Sequence, residues 1–291
     1  METLTLHAYA KINLTLDVTG RRDDGYHFIE SILQSVSLAD TVTLCRTDSS
    51  GITVVCRDPN VPDDQTNTAY RAAAVFLQET GLPGGIRIQI EKVIPSQAGL
   101  AGGSADAAAV LWGMDRLWDT GLPAERLAKL GLQVGADVPF CLQGGTGLAE
   151  GIGEILTPLP ALPDCWIVLC KPACGVSTKE AYRTIDSIPI LRRPDTSAML
   201  RAIRQGDWAC IPSQTGNLFQ TALRIPEVEE IAASMRRYGA ENACMSGSGP
   251  TVFGLFSQPD LAYACRDALA LQYPAAYVCQ PVPYGVHPIE K

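Results

Sequence analysis

From Leu4 to Val18 apolar and polar residues alternate with a period of two. Leu4, Leu6, Ala8, Ala10, Ile12, Leu14, Leu16 and Val18 share one face, and Thr5, His7, Tyr9, Lys11, Asn13, Thr15 and Asp17 share the other. That period predicts a long β-strand. A loop with turn chemistry follows at Gly20–Gly25, and further strands are expected at 31–38, 40–46, 52–56 and 86–93. The alanine-rich run 68–79 predicts a helix closed by Gly81, with Asn67 either capping it or touching a ligand's sugar. Residues 95–103 read as a loop of small residues leading into a helix over 104–118, and a second helix is expected at 123–131. The glycine-rich stretch 144–153 reads as a turn between strands. Beyond the proline cluster at 158–163, strands are expected at 166–170 and 276–281 and helices at 178–185, 197–205, 226–238 and 261–271. A second Gly/Ser turn runs into a strand within 243–256. The mixture implies α+β architecture, with a domain boundary near the prolines that separates residues 1–158 from 159–291.

The 291 residues are 46% hydrophobic and 19% charged, which excludes a disordered or fibrous chain. A net charge of −8 argues against nucleic acid as a partner, so an anionic ligand would need a local island of positive potential. No run of about 18 apolar residues predicts a membrane span, and the N-terminus has no basic segment followed by an apolar one, so a cytoplasmic protein is expected. The 10 cysteines lie largely in apolar runs without a C-x-x-C pair and read as buried, reduced thiols. With His7, His27 and His287 alone, histidine is too scarce to complete a structural zinc site.

Candidate chemistry concentrates in P-S-Q-A-G-L-A-G-G-S-A-D, residues 95–106, placed between a strand and a helix. Its three glycines and its alanines let backbone amides approach a ligand, and the helix that follows adds orphan N–H groups and the positive end of its dipole. Such a loop suits a polyphosphate, although it is neither a Walker A loop nor a G-x-G-x-x-G fingerprint. Ser104 could cap the helix or turn its hydroxyl to a bound Mg²⁺. Asp137, between Ala136 and Val138, is a carboxylate in apolar company and must be paired or used. Lys11 by itself reads as a solvated residue on the strand's polar face, and M-S-G-S-G-P-T at 245–251 as an ordinary turn.

Taken together, A-K-I-N-L at 10–14, the loop at 95–106 and M-S-G-S-G-P-T-V-F at 245–253 resemble the GHMP kinases, which phosphorylate small molecules with ATP. The run G-R-R-D-D-G-Y-H at 20–27, with G-A-D-V-P-F at 135–140 and A-E-G-I-G-E at 149–154, resembles the branch of that superfamily acting on cytidine diphosphate methylerythritol. Ala101 and Ala105 stand where the superfamily more often has Gly and Ser, and residues 186–215 match no motif.

The resemblance implies a two-domain GHMP kinase fold, with an N-terminal mixed sheet carrying helices and a smaller C-terminal α/β sandwich. ATP and Mg²⁺ are the implied cofactors. The implied nucleotide contacts are Pro95, Gln97, Ala98, Gly99, Leu100, Ala101, Gly102, Gly103, Ser104 and Ala105, with Ser104 also on the metal. Asp137 becomes the implied base and Lys11 its partner; Asn13 would meet the methylerythritol or its phosphate, Tyr26 and His27 the cytosine, and Tyr182 its second face. No membrane or nucleic-acid partner is implied, and the assembly is a monomer or weak homodimer. Two rivals remain. One is a GHMP kinase for mevalonate or homoserine, which has no use for a base-stacking Tyr26; the other is a non-catalytic sensor, which need not keep Lys11 and Asp137.

Overall fold

The computed structural model describes residues 2–189 and 192–289. Met1 of the expected first domain, and residues 190, 191, 290 and 291 of the expected second, lie outside the described residues. In chain order the regular elements are β1 (Thr3–Arg21), β2 (His27–Thr47), β3 (Gly51–Cys56), α1 (Thr68–Thr80), β4 (Gly85–Glu91), α2 (Gly102–Leu117), α3 (Ala124–Val134), α4 (Val138–Gln143), β5 (Thr146–Glu150) and β6 (Ile155–Leu159). They continue with β7 (Trp166–Lys171), α5 (Thr178–Ser187), α6 (Thr196–Gln205), β8 (Gly216–Asn217), α7 (Leu218–Leu223), α8 (Pro226–Arg237), β9 (Asn242–Met245), β10 (Val252–Phe256), α9 (Pro259–Ala270), β11 (Ala275–Cys279) and β12 (Val286–Pro288).

Two sheets organise these elements. The larger runs β12-β1-β2-β4-β3, with β5 and β6 added beside β2 and β8 lying parallel to β1. The smaller runs β11-β7-β10-β9. Helices α1 and α2 cover the apolar face of the large sheet, bringing Phe76, Ala107 and Leu111 onto Leu6, Ile12 and Ile88 in one core. Helices α8 and α9 cover the small sheet around Met235, Phe256 and Cys265 in another. The expected boundary near 158 falls at the end of β6, and β8 and β12 return from beyond it to pair with β1. Among the described residues no helix is long and apolar enough to cross a membrane, and no disulfide forms.

Several expected elements differ in extent, each for a physical reason. Residues 31–38 and 40–46, expected as two strands, are one continuous strand in which Asp40 is fully buried and ion-paired to Lys92. The stretch 144–153 is not only a turn: Thr146–Glu150 is a strand, pairing with β2 on one side and β6 on the other. The turn after β1 is shorter than expected because pairing persists to Arg21↔His27. The last expected strand ends at Cys279, and β12 beyond it was not foreseen, since three residues carry too little period to read. Residues 102–103, expected in the loop, already belong to α2.

The polar face of β1 is the main surprise. From Lys11 to Val18 both faces are buried, with Lys11 4%, Asn13 3% and Thr15 0% exposed. Alternation predicts a half-exposed strand, but α6, α7 and the turn after β9 cover the second face. Lys11 is therefore not the solvated lysine that the strand pattern alone suggests.

Asn67 caps the helix, one of its two expected roles. Its side chain accepts from Ala69 N at 2.8 Å in extended conformation ahead of α1, and its Nδ2 donates to Pro62 O. The αL residue Gly81 closes the same helix by donating to Leu77 O. Asn67→Ala is expected to destabilise the protein by about 1–2 kcal/mol, the usual scale of a lost N-cap, measured as a lower urea midpoint with an unchanged slope.

Candidate active site

Strands β1 and β2 of the large sheet, with α5, α7 and the turn after β9, line a cleft of about 1290 Å³, roughly the volume that two ligands rather than one would fill. At its floor lie Lys11 and Asn13, neighbours on one face of β1. The β1–β2 register shifts between Tyr9 and Lys11 and again between Asn13 and Thr15, and such bulges re-aim side chains beside a site. Lys11 Nζ donates to Asn13 Oδ1 at 2.8 Å, and Asn13 Nδ2 donates to Ser31 Oγ at 2.8 Å. Asn13, expected to meet the substrate, thus has its amide engaged within the protein, where it holds Lys11 in place.

Asp137 stands across from this pair. It occupies the N-cap position of α4 in helical conformation, and its side chain makes no capping bond. Its carboxylate is half exposed, with Oδ2 3.7 Å from Lys11 Nζ. The arrangement brings together the two charged groups that lie 126 residues apart in the chain, as the resemblance implied.

The loop preceding α2 forms a second wall. Three successive carbonyls are turned into the protein: Ala98 O accepts from Thr251 N, Gly99 O from Ser246 Oγ at 3.0 Å, and Leu100 O from Lys11 N at 3.1 Å. Carbonyl oxygens that would repel an anion are thereby directed away from the cleft. The first intrahelical bond of α2 runs from Ala105 N to Ala101 O, so the amides of Gly102, Gly103 and Ser104 have no partner within the helix. Gly99 and Gly247, both at positive φ, sit back to back, and a Cβ on Gly99 would run into the Ser246 carbonyl. Glycine is required there by close approach as well as by conformation.

Of the residues expected on the nucleotide, Pro95, Gln97, Ala98, Gly99, Ala101, Gly102, Gly103 and Ser104 line the cleft. Leu100 and Ala105 do not; their side chains are buried in the core, which anchors the loop to the sheet. The N-cap of α2 is Ala101, in the left-handed region with φ 59°, so Ser104 is not the cap and its side chain remains available to the cleft. An alanine held there costs about 1 kcal/mol that a glycine would not.

Behind the loop lies a charge cluster that sequence reading missed. Lys92 Nζ bridges Asp40 and Asp106, and the second contact is 2.8 Å. Asp40 Oδ1 also accepts from Val93 N and Ile94 N at 2.6 and 2.8 Å. One ammonium thus serves two fully enclosed carboxylates. Burial, only partly offset by Lys92 and reinforced by the charge of Asp40, pushes Asp106 up to about 7. Burial would pull Lys92 down, but the charges of Asp106 and Asp40 outweigh it and hold its pKa above the ordinary value. Asp106 Oδ1 has no hydrogen-bond partner. An aspartate within A-D-A-A-A was the available signal, since a charge on an apolar helix needs a counterpart.

The far end of the cleft is aromatic. Tyr26 is 64% exposed at the tip of the β1–β2 hairpin, which Arg22 N closes by donating to Tyr26 O at 2.7 Å. His27 and Tyr182 rings stack with centroids 4.5 Å apart, and Tyr182 meets Phe219 edge-on at 5.0 Å. Burial, aided by the Asp137 charge, raises the Tyr182 hydroxyl to about 12, so it stays neutral. Asp186 Oδ1 lies 2.7 Å from His27 Nε2, and Arg21 lies 3.3 Å from Oδ2. Tyr26 and Tyr182 were expected to flank one base; here the histidine ring covers a face of Tyr182. Asp186, four residues beyond Tyr182 on one helix face, was legible from spacing, whereas Phe219 carried no signal.

Comparison with known proteins agrees with this geometry. The pattern for the GHMP kinases N terminal domain matches residues 67–145, and that for the GHMP kinases C terminal matches 199–275. A 4-diphosphocytidyl-2-C-methyl-D-erythritol kinase of Geobacillus kaustophilus is 47% identical over 87% of this chain and 88% of its own length. One from Alkaliphilus metalliredigens is 42% identical over 96% of this chain and 97% of its own. Among solved structures, a 4-(cytidine 5'-diphospho)-2C-methyl-D-erythritol kinase superposes with a TM-score of 0.81 at 35% identity, covering 96% and 99% of the two chains. A homoserine kinase from Cytophaga hutchinsonii reaches 0.80 at 20% identity, which speaks to the fold alone.

The Lys92 cluster generates a pH prediction. The folded chain keeps a proton on Asp106 that the unfolded chain releases near pH 4, so this group's stabilisation is complete below about pH 4 and is lost as pH rises through about 7. Asp106→Asn is expected to flatten the fall in melting temperature between pH 5 and pH 8 relative to the parent protein. Parallel melting curves for the two proteins across that range would contradict it.

Proposed function

Because the chain belongs to the 4-diphosphocytidyl-2-C-methyl-D-erythritol kinase family of GHMP kinases, we propose that its cleft carries out that family's phosphoryl transfer with Lys11 and Asp137 at the reacting centre. The reaction is ATP-dependent phosphorylation of the 2-hydroxyl of 4-diphosphocytidyl-2-C-methyl-D-erythritol, in the non-mevalonate route to isoprenoid precursors. The observation that carries the residue assignment is the meeting of Lys11 and Asp137 beside the small-residue loop.

Phosphoryl transfer needs its phosphates held, its acceptor oxygen aligned and a proton removed as that oxygen commits. The amides ahead of α2 and the positive end of its dipole are suited to the nucleotide phosphates. Asp137 accepts the proton of the 2-hydroxyl at its carboxylate. Lys11, fixed by Asn13, faces that carboxylate and opposes negative charge on the moving phosphoryl group. Mg²⁺ favours phosphate and hydroxyl oxygens, and the Ser104 hydroxyl, beside the cleft and unused as a cap, fits as its protein ligand. When bound, the ion neutralises phosphate charge.

Cytosine falls to the aromatic end. Tyr26 offers an exposed ring face, and the His27–Tyr182 pair forms the opposing wall. With Nε2 held by Asp186, His27 has its Nδ1 and backbone left for the base's polar edge. We assign residues 1–158 and 159–291 to two lobes that contribute to the cleft from either side, in a cytoplasmic monomer or weak homodimer where ATP is supplied.

A coupled ADP-release assay with the cytidine diphosphate alcohol, mevalonate and homoserine tests the reaction. Turnover with the first alone is expected; turnover with mevalonate instead, or ATP consumption with none, defeats it. Asp137→Asn and Lys11→Met are each expected to lower kcat roughly 10²–10⁴-fold, the usual worth of a general base or of one charge-stabilising group, with the circular dichroism spectrum unchanged. Near-normal turnover of purified Asp137→Asn would remove it from the role of base.

A further inference from the structure

Asn217 belongs to none of the motifs quoted from the sequence, yet it is 4% exposed and every hydrogen-bonding position of its side chain is used. Nδ2 donates to Met245 O at 2.7 Å and to Gly247 O at 2.8 Å. Oδ1 accepts from Phe219 N at 2.8 Å and Gln220 N at 3.3 Å, capping α7. Its backbone belongs to β8, paired with Leu16 of the strand that carries Lys11. One amide therefore fastens the Gly/Ser turn to both β1 and α7.

That turn backs the nucleotide loop. Ser246 Oγ donates to Gly99 O at 3.0 Å and accepts from Asn13 N at 3.2 Å, while Gly99 and Gly247 are packed without room for a Cβ. Movement of the turn would have to carry Gly99 with it. We propose that Asn217 is a positioning residue for the phosphate site, locking the second glycine turn so that the first keeps its carbonyls directed inward. This rests on the reading of the cleft as an ATP site. Only asparagine supplies two donors and a two-fold acceptor at this reach: aspartate would set a carboxylate against two carbonyls, and serine would leave those carbonyls without their donors.

The cap and the clamp can be separated, because Asp and Ser are both good N-caps. Asn217→Asp and Asn217→Ser are expected to fold, to keep a melting temperature within a few degrees of the parent, and to raise KM for ATP at least tenfold. KM for the alcohol is expected to stay within about twofold. If Asn217 only caps α7, KM for ATP stays at the parental value in both variants, and the proposal is overturned. An equal rise in both KM values, the mark of general loosening, also overturns it. Should neither variant fold, Ser246→Ala decides: it cuts the link to Gly99 while leaving Asn217, and a parental KM for ATP there counts against the clamp. Failure of the unmutated enzyme to consume ATP would instead condemn the ATP reading itself.

Discussion

A buried ammonium organises this molecule. Lys11 is almost fully enclosed, and an enclosed charge costs several kcal/mol unless something answers it. The ammonium is answered from two places, Asn13 two residues on and Asp137 at the start of α4, while the backbone N–H of the same residue donates to the Leu100 carbonyl. Each of these three contacts fixes a different wall of the cleft. Asn13 reaches back to Ser31 on β2, Asp137 fixes the approach to α4, and Leu100 pins the small-residue loop. Asp137, Lys11 and the small-residue loop are thus set relative to one strand.

Much of the frame was legible because period is a local property. β1, α1, α2, the small sheet's β7, β10 and β11 and α8 all follow from spacing, and Gly81 ends α1 as its chemistry demands. What escaped depends on partners distant in sequence. The burial of Asp40 is invisible until Lys92, 52 residues away, is placed beside it. Thr146–Glu150 reads as a turn until β2 and β6 are placed on either side. Alternation along β1 assigns faces correctly, yet says nothing of what covers the second one.

The site divides along the same line. Lys11, Asp137, Tyr26, His27 and the loop at 95–104 stand in runs whose residue order resembles a known family, and they do meet at one cleft. Residues that hold those residues were mostly silent. Beyond the helical spacing of Asp186 from Tyr182, Asp186, Phe219 and Asn217 carry no motif, because their work is to fix a neighbour's orientation, which many local sequences can do. Asp106 is an intermediate case: an aspartate among alanines announces a burial problem without naming its solution.

Charge gives the remaining constraint. The chain carries −8 overall, and a nucleoside triphosphate with a pyrophosphate-linked alcohol brings several more negative charges into one cleft. Five cationic side chains line that cleft, Lys11, Arg21, Lys92, Lys179 and Arg183, against the four carboxylates of Asp24, Asp106, Asp137 and Asp186. Lys92 is largely committed to Asp40 and Asp106, and Arg21 to Asp186. Lys179 and Arg183 are left as a modest excess of side-chain charge against the several negative charges of the ligands. What remains is backbone: the uncommitted amides ahead of α2, the dipole behind them, and a loop whose carbonyls are bonded away from the ligand. Backbone dipoles stabilise charge only while they are held in orientation. In a site so nearly neutral, the groups that hold the glycine turns matter as much to phosphate binding as the charged residues do.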